Sequence, residues 1–229
     1  MEYPGKSAQY TLASPPSAEW RTREGILSDL LAMRNVSWMA TRLYRRALFE
    51  DHRLRFEEGI HLSEDRVLDL ELFFYARRVG KIDKAFLHYV RRKESLSSKR
   101  DKDYFGDIAA HYRIDQFITA AGLADRYRQE LNYLEFRNVF LSLVSSRQLD
   151  ERHFREYQRI SANISRYDDN PLVRAFAKDC LSTSSRLHAL AYRVDYRFGC
   201  MVRRLSDRVI NLLRRRVVDG SAATDTIAA

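Results

Sequence analysis

GIHLSEDRVLDLELFF, residues 59–74, is the stretch from which the rest of the chain is read. Ser63 stands where a helix N-cap is expected, its hydroxyl able to accept a hydrogen bond from an amide of the first turn. From there Val67, Leu70 and Phe74, together with Leu68, Leu72 and Tyr75, recur at helical spacing on more than one side, which predicts a well-buried helix. Arg77 and Arg78 followed by Gly80 match a helix end, with cations in the last turn and glycine just beyond. Glu64 and Asp65 open this helix. Carboxylates are favoured in a first turn by the helix dipole whatever the function, so the pair reads equally as a cap charge or as catalytic groups.

Upstream, Ile26, Leu27, Leu30 and Leu31 set a helix within residues 20–33. SWMATRLY, residues 37–44, alternates Trp38, Ala40, Arg42 and Tyr44 against Met39, Thr41 and Leu43, the period of a strand. RRALFED then predicts a short helix, and LRFEEGI an extended turn. Downstream, IDKAFLHYVRR, residues 82–92, is rich in aromatic and branched side chains and predicts a second strand. Beyond ESLSS at 94–98 only helical period remains. Helices are expected over 101–121, ending at Gly122; over 123–145; over 151–164 behind Asp150; and from Asn170, with Pro171 at the first helical position. The fold class is therefore α+β, mostly helical. A disordered leader (1–19) precedes a mixed α/β region (20–98), a helical extension (99–181), a basic amphipathic helix (182–218) and a disordered tail (219–229).

The composition, 45% apolar and 31% charged over 229 residues, is that of a folded globular chain. No apolar run approaches the roughly 18 residues of a transmembrane span. The start, MEYPGKSAQYTLASPPSAE, lacks the apolar centre of a secretory signal, so a cytoplasmic location is expected. Cys180 and Cys200 stand far apart with no paired Cys or His nearby, which excludes a disulfide framework and a zinc motif and predicts small buried hydrophobes.

Forty basic against thirty-one acidic residues give +9, and the excess is concentrated near the end. Between Ser182 and Val218 nine arginines face only Asp195 and Asp207, a local net charge of +7. Phe198, Val202, Leu205, Val209 and Leu212 line one helical face of this segment. Such a helix can lie on an anionic membrane surface, here the inner face of the plasma membrane, with arginines at phosphates. It can equally pack on the protein's own body. Phosphate neutralisation by arginine also suits nucleic acid, yet no reading module accompanies it, and no specific nucleic acid is expected.

Four pieces occur in order within residues 38–98: RLYRR at 42–46, FEEGI at 56–60, Glu64-Asp65 opening a helix, and HYVRRKES at 88–95. This set resembles the C-terminal half of the inverting family 2 glycosyltransferases of GT-A fold, especially the cell-wall and teichoic-acid-type enzymes with a helical extension. The resemblance implies transfer of a sugar from a nucleotide sugar to a cell-envelope glycan acceptor. It implies Asp65 as the general base that deprotonates the acceptor hydroxyl, with Glu64 contacting the acceptor. An inverting displacement needs one base, unlike hydrolysis with its two carboxyls. The resemblance places Arg91 and Arg92 near the donor diphosphate, which guanidinium groups suit. Ser95 is then a loop hydroxyl near acceptor or phosphate, and His88 a candidate third metal ligand. His61 has a weaker case.

In that family the donor site is built by an N-terminal nucleotide-binding unit with an acidic D-x-D motif for Mg or Mn. Residues 1–36 show no buried-strand run, no D-x-D and no glycine loop, and the DKD at 101–103 follows the acceptor half and opens a helix. The expectation is a glycosyltransferase-like chain that binds no donor metal and is inactive alone. It would be a fragment, one half of a split enzyme whose partner is a donor-half polypeptide, or a non-catalytic module that binds a membrane surface or a partner.

Overall fold

The computed structural model describes residues 22–34, 39–80, 87, 105–145, 150–206 and 208–209. These are mostly helical. α1 (Arg23–Leu31), α2 (Arg46–Asp51) and α3 (Glu64–Tyr75) come first. α4 (Phe105–Ala120) follows, then α5 (Arg128–Glu135) and α6 (Leu141–Ser145), joined by a π-helical turn at Phe136–Phe140. α7 (Glu151–Ser161), α8 (Pro171–Asp179), α9 (Thr183–Val194) and α10 (196–206) complete the series.

α3 explains its own composition because it lies between two apolar surfaces. Val67 and Leu70 pack with Leu27 and Leu31 of α1, Ile114 and Ile118 of α4, and Leu131 and Leu134 of α5. Leu68 and Leu72 face the other way, toward Leu54 and toward Tyr44, Leu48 and Phe49 around α2. Each fully buried leucine of this kind contributes about 1.5–3 kcal/mol relative to exposure. A second core joins Phe136, Val139, Phe140 and Leu143 to Tyr157, Ile160, Val173 and Tyr192, seating α7, α8 and α9 on the rod formed by α5 and α6.

Several expectations are met. All four apolar residues named for α1 are buried. Asp150 caps α7 by accepting from the His153 amide at 3.0 Å. Asn170 caps α8 by accepting from the amides of Leu172 and Val173, with Pro171 leading the helix. α4 ends at Ala120, just before Gly122, whose φ of 71° is the left-handed conformation of a helix stop.

Others are corrected. The strand expected at 37–44 is not one over its described part. Met39–Thr41 is a 3₁₀ turn, and residues 42–45 have no regular secondary structure. The inward and outward alternation is real at Arg42, Leu43 and Tyr44, but it comes from anchoring on α3, as shown below. The mixed α/β character of residues 20–98 is absent among the described residues, where Val79 alone has isolated bridge geometry. The second strand, 82–92, lies outside the described residues except for Leu87, as do the leader and the tail. α3 stops at Tyr75, because Ala76 turns to extended backbone, rather than running on toward Gly80. α5 begins at Arg128 rather than 123, after a turn.

The basic segment is two helices within its described residues. Asp195 has extended backbone (φ −163°), ends α9, and its carboxylate accepts the amides of Arg197 and Phe198 to start α10. α10 is held inward by Arg203, which donates to the Val144 carbonyl at 3.1 Å, and by Ser206, 2.9 Å from His188 Nε2. Phe198, Leu205 and Val209, expected on one apolar face, are exposed. Cys180 is exposed as well, at the end of α8, so it is not a buried hydrophobe.

Candidate functional site

The first turn of α3 is built differently from its sequence expectation. Ser63 has left-handed backbone (φ 62°), and its side chain makes no cap bond to α3. Its hydroxyl donates to Asp107 of α4 at 2.5 Å. A non-glycine residue held in this conformation needs support from its surroundings. Support comes from α4, where Gly106 lies so close beneath Leu62 that a Cβ there would sit 2.7 Å from the Leu62 amide nitrogen. The Glu64-Asp65 turn is thus mounted on α4.

Asp65 is half-buried. Loss of solvent raises its pKa above the usual carboxylate value, and the negative charge of Glu64 adds to the rise. The guanidinium and amide of Arg66, and then Arg42, pull in the opposite direction without cancelling it. Behind it, one turn along α3, Asp69 is fully buried. Asp69 pairs with Arg42 and accepts a 2.5 Å hydrogen bond from the Tyr44 hydroxyl. Arg42 also lies 5.0 Å over the Phe73 ring. Leu43 between them is 98% exposed, which is why the RLY triplet reads like a strand. The RLYRR and Glu64-Asp65 pieces therefore both bear on α3: Arg42 pairs with Asp69, one turn on from Asp65, and its charge acts weakly on Asp65 as well.

FEEGI forms one wall of a neighbouring groove of about 530 Å³, lined by His52, Phe56, Glu57, Glu71, Tyr75 and Arg113 among others. Gly59 makes the turn with φ 84°. Arg113 of α4 spans this wall, with Nε 2.9 Å from Glu57 and Nη2 2.8 Å from the buried Glu71. His52 stacks on Tyr75 with 3.8 Å between ring centres. Neither Glu64 nor Asp65 lines the groove.

Of the residues proposed from sequence, Glu64 and Asp65 are adjacent in the first turn of α3, and His61 is exposed just before it. His88, Arg91, Arg92 and Ser95 lie outside the described residues. Among the described residues no group of three or more His, Cys, Asp or Glu side chains is placed to hold a metal ion. Near Asp65 two further carboxylates are engaged, Asp69 by Arg42 and Tyr44 and Asp107 by Ser63. Sequence reading missed Arg42, Tyr44, Asp69 and the Glu71–Arg113 pair. The available signal was the presence of Asp69 and Glu71 within an apolar helix, since a buried carboxylate requires a partner.

No family model matches the chain, and no solved structure matches it. Among curated proteins, "Putative glycosyltransferase EpsH" of Bacillus subtilis (strain 168) is 30% identical over 103 residues, which is 44% of this chain. That alignment spans 29% of the relative's length. The similarity relates part of the chain to a protein named as a glycosyltransferase, at the level of that broad class.

Proposed function

We propose that this chain carries the acceptor-side part of an inverting, family 2 (GT-A type) sugar transferase, with Asp65 as general base acting on a cell-envelope glycan hydroxyl. The observation that carries the reading is the state of Asp65: half-buried, beside Glu64, its pKa raised by lost solvation and seated on the Arg42–Tyr44–Asp69 cluster. A carboxylate whose pKa is raised is a stronger base than a solvated one. In the reaction the acceptor oxygen forms a bond to the anomeric carbon as its proton passes to Asp65. The bond to the nucleotide diphosphate breaks, and its electron pair leaves with the phosphate. Glu64, half-buried beside it in the same turn, contacts the acceptor. The partial similarity to a protein named as a glycosyltransferase supports the class.

A divalent metal on the donor side would neutralise the leaving diphosphate when bound. The described residues offer no set that fits one. Arg91 and Arg92 are proposed as donor-phosphate contacts and Ser95 as a nearby hydroxyl.

The test has two arms. The 229-residue chain alone, given UDP-sugars with Mg or Mn and glycan oligomers, gives no transfer. Glycan oligomers do perturb its NMR resonances around α3, and they still bind Asp65→Asn. In a polypeptide that joins this chain to a nucleotide-binding unit, Asp65→Asn lowers the rate about 100- to 10,000-fold. An unchanged rate in that variant sinks the assignment of the base. Turnover by the isolated wild-type chain, lost in Asp65→Asn, sinks the separation of donor and acceptor parts.

A further inference from the structure

The outer side of α9 and α10 inverts the usual distribution of side chains. Leu187, Leu190, Val194, Phe198, Met201, Leu205 and Val209 are each 43% to 77% exposed, and they recur at steps of three and four straight through the break at Asp195. The inner sides are occupied by other residues: His188, Ala189, Ala191 and Tyr192 from α9, and Cys200, Arg203 and Ser206 from α10. The exposed stripe is therefore not a core face left loose. Both helices already bury a separate face.

Arginines border this stripe on one side. Three of them, Arg197, Arg204 and Arg208, line an open groove of about 400 Å³ together with Met201 and Leu205. On a helix these three positions lie along one edge, each within about 60–110° of the apolar centre. Arg186 and Arg193 are used internally, the first on the carbonyls of Leu181 and Lys178 and the second on Asp168. Arg197, Arg204 and Arg208 form no ion pair with any described residue.

We propose that this face docks on an anionic phospholipid bilayer. The stripe enters the acyl boundary, and Arg197, Arg204 and Arg208 meet the head-group phosphates in the groove beside it. Charge complementarity selects this occupant. A row of guanidinium groups with no ion-pair partner among the described residues, along one edge of an apolar ridge, matches a surface whose phosphates lie immediately above hydrocarbon. The inference is independent of the role of Asp65.

The experiment is flotation of the 229-residue chain with phosphatidylcholine vesicles, with and without an equal part of phosphatidylglycerol. The chain floats with the anionic vesicles, weakens as salt is raised, and stays behind with neutral ones. Each arginine at an anionic surface changes partitioning about fivefold, so the triple variant R197Q/R204Q/R208Q binds about 100-fold less. M201S/L205S also reduces flotation, and a Leu205→Trp variant shows blue-shifted emission only with anionic vesicles. Circular dichroism confirms that the variants keep their helices. Equal binding to neutral vesicles, or flotation unchanged in the triple variant, overturns the proposal. So does a dimer dissolved by M201S/L205S in a chain that ignores vesicles, or arginine-dependent retention on an RNA oligonucleotide without flotation.

Discussion

Around α3 the molecule places charge inside, whereas along α9 and α10 it places apolar side chains outside. Asp69 and Glu71 are buried in the first region, each answered by a guanidinium from another part of the chain, Arg42 and Arg113. In the second region seven large apolar residues face solvent while the helices are anchored by their opposite sides. Both departures run against the ordinary partition of side chains. They differ in what answers them: the buried carboxylates have partners within the chain, whereas the apolar stripe is left facing solvent.

The contrast is sharpest in stability. Asp69→Ala should be the most damaging substitution, because it removes the buried carboxylate that both the Arg42 guanidinium and the Tyr44 hydroxyl engage. Breaking one side of a buried pair costs about 3–5 kcal/mol, and urea denaturation measures it. A loss under about 1 kcal/mol would show that Arg42 finds water and that the cluster is not closed.

Asp65→Asn should do the reverse at neutral pH. The folded protein holds this carboxyl's pKa above its unfolded value, so the charged form is penalised on folding. The penalty is absent at pH below the unfolded carboxylate value and grows as pH rises through the folded value. Thermal melts should therefore show Asp65→Asn above wild type at pH 7, with the difference vanishing in acid. A base retained at the expense of stability is the pattern expected of a working group. An equal or lower Tm at pH 7 would make Asp65 a simple helix-end charge. The smallest effect belongs to the outer face, where Leu205→Ser should change unfolding free energy by within about 0.5 kcal/mol. A larger loss would mean that the stripe is part of the core.

The sequence disclosed local signals well and long-range partnerships poorly. Asp150 and Asn170-Pro171 announce their helices because a cap is a contact among near neighbours. Ser63 has the same letter-level signal and fails, since its hydroxyl is drawn to Asp107 on another helix. The alternation at Arg42, Leu43 and Tyr44 was legible, but its cause was not. Two inward side chains on one buried carboxylate look, in one dimension, like two residues on one face of a sheet. Asp195 could not be told from an ordinary solvated charge within a helix, because the residue that interrupts the basic segment is also acceptable inside it. The candidate base was found from its neighbours in sequence, whereas Arg42, Tyr44 and Asp69 became visible only when the chain folded.

The link from Ser63 to Asp107 has a mechanical meaning. A helix that carries its own cap can slide or tilt as a unit and take its first residues along. α3 instead has its leading end pinned to α4, with Leu62 pressed against Gly106 and no room between them for a side chain. The height of Asp65 above the molecule is thus set by a fastening between two helices. Wear at that fastening, through a longer side chain at residue 106 or a missing hydroxyl at residue 63, would misalign the Glu64-Asp65 turn while leaving both of its carboxylates in the chain.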